Sequence, residues 1–158
     1  MRITLSNNQE VAHFFANNIQ YEGRGSNFFF EGEYLWSYGK HFCVARRLPS
    51  GTIVMTDRKY SNSTARHISL TRAATRHLPI VFCYDPSGTS ESNKREAVRQ
   101  VTNALDYAAR KGIRQSTRDK HLAIAYQLAQ SFNAYLDALP ESERLSSPIE
   151  IAKQLNLI

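Results

Sequence analysis

Two histidines set among hydroxyl groups are the residues in this chain best suited by type to chemistry. His41 follows Ser37-Tyr38-Gly39-Lys40, and His67 lies three residues after Thr64, with Ser61, Ser63 and Arg66 close by. A pair of imidazoles can act as general acid and general base on a phosphodiester while arginines hold its charge, because imidazole titrates near neutral pH. His67-Ile68-Ser69 fits the His-x-Ser/Thr half of a two-histidine phosphoesterase pattern. The other half would be His41-Phe42-Cys43, which lacks the hydroxyl. Catalysis by His41, His67 and Ser61 is therefore the secondary expectation, and capping of a helix by Ser61 or Ser63 accounts for the local hydroxyls without any reaction.

Charge carries the primary expectation. The chain has 158 residues with 20 Lys+Arg against 14 Asp+Glu, a formal charge of +6, but the excess is concentrated. Residues 40–80 hold eight cations and one Asp, and residues 94–120 hold eight cations and three acids, whereas every other stretch is net negative. Such stretches suit a phosphate backbone, whose affinity for proteins comes largely from neutralised phosphates. The residues expected to make the contacts are Arg46, Arg47, Arg58 and Arg66 in the first stretch and Arg95, Arg99, Arg110 and Lys111 in the second. Tyr34, Trp36 and Tyr38 alternate beside the first stretch and could stack on unpaired bases, although alternating aromatics in a hairpin more often form core.

Other chemistry is excluded or weak. No P-loop, dinucleotide glycine pattern, HExxH, CxxC pair or nucleophile elbow is present, so no cofactor and no metal are expected. Cys43 and Cys83 sit in apolar runs and read as buried core thiols. The loop from Pro86 to Asn93 precedes Lys94 and Arg95 and could offer backbone amides to an anion, but it has only one glycine. No run of about 18 apolar residues occurs and the first residues are polar, which predicts a cytoplasmic protein with no membrane partner.

The elements that must position these residues follow from periodicity. Arg2 to Leu5 reads as a short strand, and Ser6 with Gln9 forms a capping-box pattern opening a helix whose stripe is Val11, Ala12, Phe15 and Ile19. Gly23 and Gly25 mark a loop. Phe28 and Phe30, then Tyr34, Trp36 and Tyr38 around Gly32, then Phe42 and Val44, then Thr52 to Thr56 after Pro49-Ser50-Gly51, read as an antiparallel meander. Thr64 to Arg76 reads as a helix with a thin stripe of Ile68, Leu70, Ala73 and Ala74, and Ile80 to Tyr84 as a buried strand.

Beyond that strand the pattern is helical. Val98, Val101, Leu105 and Ala108 face one way before Gly112. Leu122, Ala125, Ala129, Phe132, Leu136 and Leu139 form the matching stripe of a second helix. Pro148 to Leu155 reads as a short closing helix. The expected fold is α+β: a mainly antiparallel sheet with N-terminal and middle helices, followed by a C-terminal helical hairpin. It is expected as a single domain over 1–158, with a sheet part at 1–86 and a helical part at 93–158.

The segments Asn8-Gln9-Glu10-Val11-Ala12-His13, Glu22-Gly23-Arg24, Asn27-Phe28-Phe29-Phe30-Glu31-Gly32, Ser37-Tyr38-Gly39-Lys40-His41-Phe42 and Tyr60-Ser61-Asn62-Ser63-Thr64-Ala65-Arg66-His67 together resemble a family of small proteins from bacteriophages and other mobile genetic elements. The resemblance covers roughly the first half of the chain. It implies an origin rather than an activity, with accessory roles in a bacterial host cell: handling nucleic acid, or binding a host nucleoprotein complex to counter defence. A purely protein-binding inhibitor of such a complex is the third expectation.

Overall fold

The computed structural model describes residues 3–151, and the chain forms two compact units, Met1–Ser87 and Gly88–Ile158. The first is an α+β unit in which a six-stranded sheet, its strands side by side in chain order, carries two helices. Helix α1 (Asn8–Ala16) opens one residue later than the capping-box pattern indicates. The Asn7 side chain accepts from the Glu10 amide at 2.8 Å, and the Glu10 carboxylate accepts from the amide and the hydroxyl of Ser6. These bonds hold the Glu10 carboxyl below its ordinary range. The helix stops at Ala16 because Asn18 turns left-handed at φ 50°, so Ile19 leaves the expected stripe and is 51% exposed.

Two expectations near the N-terminus are corrected. Residues 3–5 make only an isolated parallel bridge, Thr4 with Arg24, and the expected Arg2 lies outside the described residues. The stretch read as a loop is strand β1 (Glu22–Arg24), in which Gly23 faces Phe30. A Cβ there would lie 2.7 Å from the Phe30 ring, so this glycine makes room for an aromatic rather than for a turn.

The meander follows as expected through β2 (Phe28–Glu31), β3 (Tyr34–Ser37), β4 (Phe42–Arg47) and β5 (Ile53–Thr56), all antiparallel. Helix α2 (Asn62–Ala74) then crosses to β6 (Ile80–Cys83), which lies parallel to β5 at the sheet edge. Val11 and Phe15 of α1 pack on Phe28, Phe30, Leu35, Val44, Ile53 and Met55. Leu35, not Tyr34 or Trp36, is the β3 residue in this cluster, and those two aromatics are half-buried. Cys43 and Cys83 are buried free thiols, and burial pushes both far above the pKa of a free thiol.

Helix α2 buries a polar stripe where an apolar one is expected. Thr64, His67 and Thr71, with the capping residue Thr75, are its buried positions, while Ile68, Leu70 and Ala74 are half-buried and Ala73 is exposed. The stripe is tolerable because its hydroxyls are satisfied: Thr71 donates to the His67 carbonyl and Thr75 to the Thr71 carbonyl, both at 2.7 Å.

The second unit is a helical hairpin of α3 (Ser90–Ala108) and α4 (Gln115–Ala138), turned at Gly112, whose φ is 79°. Val101 and Ala104 pack against Ala125 and Ala129. Val98, expected in this stripe, is exposed. Two arginines close helix ends: Arg118 donates to the Ala108 carbonyl at 2.9 Å, and Arg144 to the carbonyls of Asp137 and Leu139 at 2.8 Å. The expected closing helix is absent over residues 148–151, where Asn133 instead bonds both backbone groups of Ile149; its remainder lies outside the described residues. Among the described residues no helix is long and apolar enough to cross a membrane.

Candidate functional site

The first unit carries a cleft of about 490 Å³ where the β3–β4 turn, the end of β5 and the start of α2 meet. His41, Arg58 and Ser61, all singled out by sequence, line it, together with Ser37, Tyr38, Phe42, Tyr60 and Thr64. Ser61 is the N-cap of α2, accepting from the Thr64 amide at 3.3 Å. His41 is exposed.

His67 stands one layer behind, 5% exposed, with its ring stacked on Phe28 at 4.5 Å. Its Nδ1 is 2.7 Å from Ser37 Oγ, which is 3.2 Å from Thr64 Oγ1, which in turn accepts from Ser61 Oγ at 3.2 Å. On the other side Nε2 meets the Asn8 amide at 3.4 Å. Burial lowers the His67 pKa, so the ring is neutral near pH 7 and has one donor and one acceptor nitrogen.

Asn8 Nδ2 faces the ring, and its buried Oδ1 has no hydrogen-bond partner among the described residues. A half-turn of that amide lets Nε2–H donate to Oδ1 and leaves Nδ1 to accept from the Ser37 hydroxyl. The donors then run in one direction from Ser61 through Thr64 and Ser37 to His67 and Asn8. In either orientation both ring nitrogens of His67 are engaged with the protein. The geometry brings His41 and Ser61 to one cleft and gives His67 the part of tying α1, β3 and α2 together.

The cations divide by what they touch. The guanidinium of Arg58 lies over the rings of Phe42 and Tyr84, at 4.3 and 5.0 Å from their centroids, and its buried Nε has no hydrogen-bond partner among the described residues. Among the described residues no carboxylate lines the cleft. Arg46, by contrast, is buried beside Glu33 at 3.2 Å and over the Tyr34 ring, so its charge is already compensated. Arg47 is half-buried over Phe15 at 4.9 Å, and burial lowers its pKa. It pairs with Ile53 at the end of β5 opposite to Arg58. Arg66 is exposed on α2.

In the second unit Arg95 is exposed, whereas Arg99 is bonded to Glu96 at 2.8 Å. Arg110 lies over the Tyr107 ring at 4.4 Å, and that ring stacks on His121 at 4.0 Å. Arg110, Lys111, Arg114 and Lys120 are all exposed around the α3–α4 turn. Among the described residues no salt bridge involves them. The nearby Asp119 accepts from Gln115.

Arg114 and Lys120 stand with Arg110 and Lys111 at this turn, where the clustering of cations in the sequence puts them together with Arg118, which is instead bonded to the Ala108 carbonyl. Arg99 does not belong there, and Glu96 three residues earlier announces its pairing. Nothing in the sequence announces Arg46 with Glu33, a contact made across strands. The loop after β6 is less open to an anion than its composition indicates, because the Asp85 carboxylate accepts from both the amide and the hydroxyl of Ser87.

No protein-family model, no curated protein and no solved structure matches the chain.

Proposed function

We propose that the protein binds nucleic acid or a nucleoprotein through its phosphates, with the α3–α4 turn as the principal contact. The observation that carries this reading is the group of four exposed cations at that turn, Arg110, Lys111, Arg114 and Lys120, with no salt bridge to any of them among the described residues. Cations already compensated by a carboxylate gain little from a phosphate; these four gain the release of counterions from the polymer. Arg66, Arg95 and Arg58 are further contacts. The test is retention of labelled single- and double-stranded DNA and RNA by the full chain at low salt and again at raised salt. Salt-sensitive binding is expected, and no binding, or binding indifferent to salt, overturns the reading.

Hydrolysis of a phosphodiester is the second reading, favoured by His41 and Ser61 sharing one cleft with Arg58. It requires turnover of phosphodiesters that disappears in His41→Ala; turnover that persists removes it. A host defence complex as the partner, in keeping with the mobile-element resemblance, requires association that survives nuclease treatment of a lysate.

A further inference from the structure

The cleft of the first unit has a chemistry that surface cations alone do not supply. Its guanidinium, Arg58, lies over the rings of Phe42 and Tyr84, its buried Nε has no hydrogen-bond partner among the described residues, and the residues lining the cleft include no carboxylate. A half-buried charge in this condition is stabilised by an anion that enters the cleft. Two tyrosines on the same cleft leave ring surface open: Tyr60 is 75% exposed, with its ring 5.3 Å from that of Phe42, and Tyr38 is 48% exposed.

Tyr38 is also held at φ 60°, a left-handed conformation that costs a bulky residue energy and collects at binding sites. A volume of about 490 Å³ suits a small ligand and excludes a duplex, whose bases are already stacked.

We infer that this cleft is a pocket for one phosphorylated nucleoside, its phosphate on Arg58 and its base on the tyrosine rings. The ligand is either a free mononucleotide or the phosphorylated end of a single strand; both present the same phosphate and the same aromatic face. The inference deepens the nucleic-acid reading, yet its measurement does not depend on polymer binding.

The experiment is calorimetric titration of the full chain with AMP, adenosine and ribose 5-phosphate, and with a short oligonucleotide with and without a 5′-phosphate. AMP is expected to bind at least tenfold more tightly than adenosine or ribose 5-phosphate. Tyr60→Ala, at a mostly exposed position, is expected to weaken AMP about 5- to 150-fold, the range for losing one base stack. Arg58→Met is expected to abolish the preference for AMP over adenosine, and Arg58→Lys to keep part of it. The lysine variant guards against a packing defect in the first.

If the phosphorylated oligonucleotide binds more tightly than AMP, the ligand is a strand end; if AMP binds as tightly or more so, it is the free nucleotide. Absence of AMP binding at millimolar concentration, or AMP binding unchanged in both Tyr60→Ala and Arg58→Met, overturns the pocket. Polymer binding without AMP binding sinks the pocket and leaves the polyanion reading standing, whereas AMP binding without polymer binding does the reverse.

Discussion

His67 is neutral because the folded chain removes it from water and supplies partners for both of its nitrogens. Its folded pKa lies below the ordinary value of 6.5, so between those two values the unfolded chain holds a proton that the folded chain does not. This residue's contribution to stability is therefore complete above pH 6.5. It falls as the pH drops below that value, and levels off once the folded pKa is passed. Urea unfolding of the wild type and His67→Gln between pH 4.5 and 8 checks this: the glutamine variant is expected to be less stable at pH 8 and to lose the His67 part of the decline in acid. Two neighbouring threonines separate structural from incidental hydroxyls. Thr64→Val breaks a chain shared with Ser37 and Ser61 and is expected to cost about 1–3 kcal/mol. Thr71→Val removes only a bond to a carbonyl within the helix and is expected to cost less than about 1 kcal/mol by the same measurement.

At the scale of elements, most of the fold is legible in the sequence, and the misreadings share a cause. Alternation in β2 to β5 and the apolar stripes of α3 and α4 are local patterns, and local patterns suffice to place those elements. Strand β1 is missed because Gly23 looks like punctuation, whereas it is there to admit Phe30 from the next strand. The α2 stripe is misassigned because buried threonine and histidine look solvated until the partner hydroxyl of Ser37 arrives from β3. The cleft is only partly legible: His41, Arg58 and Ser61 stand out by type, but no spacing joins residues 37–42, 58 and 60–64. Gly25 gives a test of how tightly α1 is seated, since a Cβ there would overlap the Asn8 side-chain oxygen. Gly25→Ala is expected to lower stability by about 1–3 kcal/mol in thermal unfolding. In the second unit, Arg118→Ala leaves the last carbonyls of α3 without their side-chain donor and is expected to cost about 1 kcal/mol.

Over the whole molecule, the formal charge of +6 says less than the way each cation is compensated. Arg46 and Arg99 face Glu33 and Glu96, Arg118 and Arg144 face helix carbonyls, and the turn between α3 and α4 gathers four cations with no salt bridge among the described residues. A polyanion should feel the last group and ignore the first. The direct measurement is the salt dependence of single-stranded nucleic-acid affinity for the full chain, for Lys111→Ala/Arg114→Ala and for Arg99→Ala. Each phosphate that a variant no longer neutralises is expected to reduce the slope of log K against log salt by about 0.7. The double variant should therefore bind more weakly with a shallower slope, while Arg99→Ala keeps the wild-type slope. Equal slopes for all three proteins, or a greater weakening by Arg99→Ala than by the double variant at the turn, would contradict the account.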